Sequence, residues 1–150
     1  MMRRIAGLLA LLLSACTPPS PAPKDWHAIA GETDAWSSGS GTRLQEYRLT
    51  ATPFSGGLQD LASQVTIDVL TRHRGARLEG STPLQSCPGA AGVARFRLPG
   101  ERRLDEAFSV RRGHAVRVTY VHPAGITGDP AALEAMKSSL CALTAGVPNQ

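Results

Sequence analysis

The residues able to do chemistry are few in this 150-residue chain, and their spacing argues against most reactions. A serine hydrolase places its nucleophile in a G-x-S-x-G elbow. The glycine–serine stretch SSGSGT at 37–42 departs from it, because Ser38 and Thr42 stand where Ser40 would need glycines. No G-K-[ST] follows, so the stretch is not a phosphate loop, and it reads as the loop of a hairpin. The four histidines, His27, His73, His114 and His122, form neither H-x-x-x-H nor H-x-x-E-H. His114 and His122 fall on one face of one predicted strand, separated by roughly 27 Å at ~3.4 Å per residue, too far to share a metal. Each histidine reads as a surface or edge residue. Asp105 and Glu106 are adjacent, so on a strand they point to opposite faces and cannot work as a pair. The sequence therefore predicts no catalytic residue, metal site or cofactor; the alternative is an enzyme whose site is assembled from scattered residues.

Arginine is what remains. Arg95, Arg97 and Arg117, with Arg111 and Arg112 nearby, come from strands expected to be neighbours, and Arg102 and Arg103 lie between them. Aligned on an outer sheet face, they would make a basic patch for anionic headgroups, a polyanionic glycan or an acidic protein surface. The plainer reading is a solvated strand face. Trp26, Trp36 and Tyr47 could line a groove, although aromatics in a chain with so few serve more often as core anchors.

These residues must be positioned by a small set of elements. Leu58, Leu61, Ala62, Val65 and Val69 follow helical spacing along one face. Ser55 is placed to cap that helix, and Gly75 follows its basic end, RHR. A second helix opens with Asp129 as cap and Pro130 at the first helical position, with Leu133, Met136, Leu140 and Leu143 as its apolar face. Between the helices, Ala94, Phe96 and Leu98 alternate with Arg95 and Arg97, and Val116, Val118 and Tyr120 alternate with Arg117 and Thr119, the period of half-buried strands. Gly113 suits a tight hairpin in RRGH. A weaker strand follows the first helix at 76–86, and a hairpin precedes it around SSGSG. The order of strands, helix, strand meander and helix predicts an α+β fold: a single antiparallel β-sheet covered by two helices.

The N-terminal residues predict an address. A basic start at Arg3 and Arg4 precedes nine apolar residues, Ile5 to Leu13, too short for the ~20 that span a bilayer but suited to a secretory signal. Leu13-Ser14-Ala15-Cys16 resembles the lipobox of bacterial lipoproteins. The resemblance implies cleavage before Cys16 and acylation there, with residues 1–15 as signal peptide. Thr17 stands where an aspartate would mark retention in the inner membrane, which leans the expectation toward the outer membrane of a Gram-negative cell. TPPSPAPK follows, an extended spacer of roughly 25 Å at ~3.1 Å per residue. Residues 16–25 are thus a lipidated tether, residues 26–146 one globular domain and residues 147–150 a tail. Without Arg3 and Arg4, the 16 basic residues fall to 14 against 12 acidic ones, a surplus too small to imply nucleic acid. With Cys16 taken by lipid, Cys87 and Cys141 remain as an even pair in an oxidising compartment, most simply a disulfide; a metal site or a reactive thiol are the alternatives.

The element order over 55–143, ending in VTYVHPAGITGDPAALEAMKSSL, resembles the PsbP-like fold found in many small bacterial lipoproteins. That resemblance implies a mostly non-catalytic module that docks onto membrane complexes or other partners, and it transfers no site residue. The expected function is a lipid-anchored, extracytoplasmic binding or accessory module of the cell envelope, contacting the membrane through its N-terminal lipid and meeting a protein or an anionic polymer.

Overall fold

The structure, a computed structural model, describes residues 21–84 and 91–142. The expected signal peptide, Cys16, Cys87 and the 147–150 tail lie outside the described residues, as does the side chain of Cys141. The elements run β1 (His27–Ala28), β2 (Ala35–Ser38), β3 (Gln45–Pro53), α1 (Leu58–Arg72), β4 (Arg77–Pro83), β5 (Ala91–Leu98), β6 (Arg102–Arg111), β7 (His114–Pro123) and α2 (Pro130–Ala142). All seven strands pair antiparallel in one sheet, ordered β1-β2-β3-β7-β6-β5-β4. The chain is therefore an α+β protein with one antiparallel sheet and two helices, as its periodicities require.

Strand alternation assigns each side chain to a face. On β6, which lies deep in the sheet, Leu104 and Phe108 join Leu61, Val65 and Val69 of α1 in one core, with Phe96 and Leu98 of β5. Ala107, of opposite parity, joins Ala132, Met136 and Leu140 of α2, with Tyr47, Val116, Val118 and Tyr120. The helices thus cover opposite faces, and neither face is bare. Coverage is nevertheless partial. α1 packs on β5 and β6, while α2 packs on β6 and β7, leaving β4–β5 open on the α2 side and β2–β3 open on the α1 side.

Local chemistry sets the ends of these elements. The N-cap of α1 is Gly57 rather than Ser55, and its N–H donates to Asp60 Oδ2 at 2.8 Å. That carboxylate both satisfies a free donor and sits favourably at the positive end of the helix dipole. In α2 the expected cap forms: Asp129 Oδ1 accepts from the Ala131 N–H at 2.8 Å. Arg112 and Gly113 join β6 to β7 with φ of 45° and 75°, the two left-handed residues of a type I′ hairpin. Gly92 has a different reason: a Cβ there would lie 2.8 Å from the Phe108 ring, so only glycine lets that ring cross the strand.

Candidate binding surfaces

Arg95 and Arg97 both project from β5 on the α2 side, because Arg95 faces Asp105 and Arg97 faces Arg103 across the β5–β6 ladder. This is the part of the sheet that α2 leaves open. Arg95 Nε donates to Asp105 Oδ1 at 2.9 Å, Arg97 Nε donates to Glu79 Oε1 at 3.2 Å, and Arg103 Nε lies 3.2 Å from Glu79 Oε2. Glu101 reaches Arg97 from the turn at 3.6 Å. Two open hollows share Arg95 and Arg103. One, of about 200 Å³, runs past Glu79, Gly80 and Thr82 of β4. The other, of about 430 Å³, runs toward Asp105, His122 and the 124–128 loop.

His122 is not the surface or edge residue its spacing predicted. Its side chain is 2% exposed and its ring stacks on Tyr120, with centroids 4.7 Å apart. Nδ1 lies 2.9 Å from the Pro123 carbonyl and Nε2 lies 3.4 Å from Asp105 Oδ2. Both partners are acceptors. Burial alone would push the Asp105 carboxyl up, but hydrogen bonds and charge from His122 and Arg95 outweigh it and hold the group below the ordinary aspartate value. An Asp–His pair is two parts of a nucleophile relay. Among the described residues, however, no hydroxyl or thiol is hydrogen-bonded to His122, so the pair organises Arg95 and the floor of the hollow.

Arg117 does not join this surface. It sits on the opposite face, next to Phe108 in register, beneath α1. There Nε donates to Glu106 Oε1 and Nη1 to Asp68 Oδ2, each at 2.6 Å, while Thr119 donates to Glu106 Oε2 at 2.7 Å. Burial would weaken its proton affinity, but the Glu106 and Asp68 carboxylates more than reverse that and raise it. With a side chain 13% exposed against 54% for Arg95, Arg117 is part of an internal ion-pair network. The expectation that Arg95, Arg97 and Arg117 share one face is corrected accordingly. Asp105 and Glu106 do point apart as their adjacency requires, yet neither is inert, because each anchors an arginine on its own face.

Trp26, Trp36 and Tyr47 pack as core anchors. Trp26 sits 6.4 Å from Tyr47 and 6.1 Å from Tyr120 between ring centroids, and Trp36 sits 5.9 Å from Tyr47. Desolvation pushes both tyrosines up to about 12. Tyr47 shares a hydrogen bond with Ser139 of α2 at 3.2 Å, and Tyr120 accepts from the Asp129 N–H at 2.8 Å, so both hydroxyls fasten α2 to the sheet. The described residues contain no group of three or more His, Cys, Asp or Glu side chains arranged to hold a metal. None of their helices is long and apolar enough to cross a membrane. No protein-family model matches the chain, and no curated protein matches its sequence.

Proposed function

We propose that this protein is a lipid-anchored, extracytoplasmic binding module of the bacterial envelope, tethered through Cys16, that docks a partner on the Arg95–Arg97–Arg103 face. The observation that carries the docking surface is the open sheet area beyond α2, where three arginines from two strands are held in place by Glu79, Asp105 and Glu101. Arginines fixed in this way lose less freedom on binding and keep donors for a partner's carboxylates or carbonyls. Carboxylates interleave with them, so the surface suits a protein of mixed charge better than a uniform polyanion. Both hollows are open, and among the described residues no hydroxyl or thiol is hydrogen-bonded to His122, which favours docking over catalysis. One antiparallel sheet between two helices on opposite faces is also consistent with the PsbP-like resemblance, whose implied role is docking.

Two experiments test the reading. Replacing Cys16 with Ser should release the protein from the membrane fraction or leave it unprocessed; processed, membrane-bound C16S protein contradicts the anchor. Replacing Arg95 with Gln and Arg97 with Glu should strongly weaken capture of partners cross-linked in the native envelope. The melting temperature should fall only slightly, because both side chains are substantially exposed and no second carboxylate is set against Asp105. Undiminished capture by that double variant rules this face out.

A further inference from the structure

The α1 side carries a second opening that the docking surface does not use. The last turn of α1 and the residues after it, Arg72, His73 and Arg74, form one wall of an open cleft of about 660 Å³. Arg48 of β3 stands in the lining too, with Arg102 at the start of β6, while Thr119 and Val121 of β7 contribute from the strand between. The volume is within the range of small-molecule sites. Four guanidiniums and a histidine line it against one carboxylate, Glu46.

The partners of these arginines show how much of their donor capacity is committed. Arg48 binds Glu32 through Nε at 2.8 Å and through Nη2 at 3.2 Å, and reaches Glu46 at 3.3 Å. Glu32 is not among the residues lining the cleft. Arg102 donates Nη2 to the Leu44 carbonyl at 3.1 Å and lies 3.7 Å from Glu46. Arg72 lies 3.5 Å from Asp68 Oδ2, but the same oxygen is 2.6 Å from Arg117, so the shorter pair dominates it. Arg74 makes no ion pair among the described residues. Basic residues at a helix C-terminus offset its partial negative charge, which accounts for Arg72 and Arg74. It does not account for Arg48 and Arg102, which arrive from two strands and converge on the same space.

We propose that this cleft binds a phosphate-bearing anion, its tetrahedral oxygens gripped by Arg74 and Arg102 with Arg48 and Arg72 at the margins. Guanidiniums meet such groups through paired, charge-assisted hydrogen bonds, and convergence from three elements fits an anion presenting oxygens in several directions. The phosphate is either a free phosphomonoester or the phosphodiester of a lipid headgroup. The lipid source has a geometric basis: His27 of β1, where the N-terminal segment joins the sheet, pairs with Ser37, which pairs in turn with Glu46 of the cleft.

The test is a thermal-shift and ³¹P NMR titration of the full chain in neutral detergent. The probes are inorganic phosphate, soluble dihexanoyl-phosphatidylglycerol and, as a control, dihexanoyl-phosphatidylcholine. Binding of inorganic phosphate, of the anionic lipid or of both, weakening as salt rises, supports the site, and the responding probe identifies the source. Arg74→Glu should weaken that binding by about tenfold or more, the loss of one charge-assisted contact, and Arg102→Glu should do the same. Arg95→Glu, on the other face, should bind as the unaltered chain does. No response to either anion, an equal response to phosphatidylcholine, or undiminished binding in Arg74→Glu overturns the proposal. Arg74 is exposed, so that variant decides the matter even where Arg102→Glu fails to fold.

Discussion

Asp105 and Glu106 are neighbours in sequence, both nearly fully buried, and both bonded to an arginine, yet they belong to different kinds of structure. Glu106 faces α1 and holds Arg117, which also reaches Asp68 on the helix, so Glu106 and Arg117 are closed over while Asp68 keeps part of its side chain in solvent. Asp105 faces the open half of the α2 side and holds Arg95, whose side chain remains 54% exposed, together with His122. The first network joins a helix to the sheet. The second presents an arginine to solvent from a fixed base. Partial coverage by the helix, rather than residue type, separates the two roles.

The largest expected effect concerns how each helix is fastened. Leu84, which directly follows β4, packs against the cluster that contains Leu140 of α2. A Cys87–Cys141 bridge would close a loop of about 55 residues and stabilise by about 4 kcal/mol on the chain-entropy model. Reduction should lower the melting temperature and speed hydrogen exchange in α2 first, leaving α1 protected; two free thiols in protein taken from the envelope would remove this asymmetry. Next, Glu106→Ala should cost about 3 kcal/mol in urea unfolding, because it leaves Arg117 under α1 with only Asp68. Asp105→Asn should cost about 1 kcal/mol, since Arg95 can return to water. Equal losses would erase the distinction between the two faces.

Titration sharpens the same contrast at the ends of the pH scale. Tyr47 and Tyr120 titrate in the fold at about 12 against an ordinary value near 10. Unfolding therefore releases protons between those values, and stability, fully present below about 10, should fall as pH rises through 12. Tyr47→Phe should flatten that decline and cost about 1 kcal/mol at neutral pH through the lost Ser139 bond. Asp105, held below its ordinary value, contributes stability at neutral pH that disappears as pH drops through its folded value, below about 4. Asp105→Asn should remove that part of the acid transition. The smallest effect belongs to Arg97→Ala, under about 0.5 kcal/mol, because its pairs with Glu79 and Glu101 are exposed at the surface.

Much of this architecture was legible in the residues. The helical spacing of Leu58 to Val69 and the alternation of Ala94 to Leu98 are direct imprints of one buried face per element, and Asp129-Pro130 marked the start of α2. The facing of Arg117 differs from expectation, although its signal is present in the sequence. A two-residue turn at Arg112-Gly113 sets Arg111 opposite His114, so odd positions on β6 share a face with even positions on β7. That places Arg117 with Phe108 and away from Arg95. The burial of His122 differs from expectation for another reason: it depends on Asp105 and Tyr120, which surround the ring only in the folded sheet. The cleft at Arg48, Arg74 and Arg102 joins three elements, and no spacing along the chain announces it.

The seam between β3 and β7 sets an order of assembly. β4 to β7 join by successive connections along the chain, and the last two hairpins can close locally. β3 must instead find a strand made much later, and across that seam Tyr120 donates to Gln45, 75 positions away. Closing so long an intervening loop adds only modest free energy but slows the search. Everything upstream of α1 therefore waits for β7, and a chain truncated after β6 would leave the N-terminal meander with no edge to join. Folding of this protein should finish at that seam, and a nascent chain should resist proteolysis between β1 and β3 only once the residues of β7 have been made.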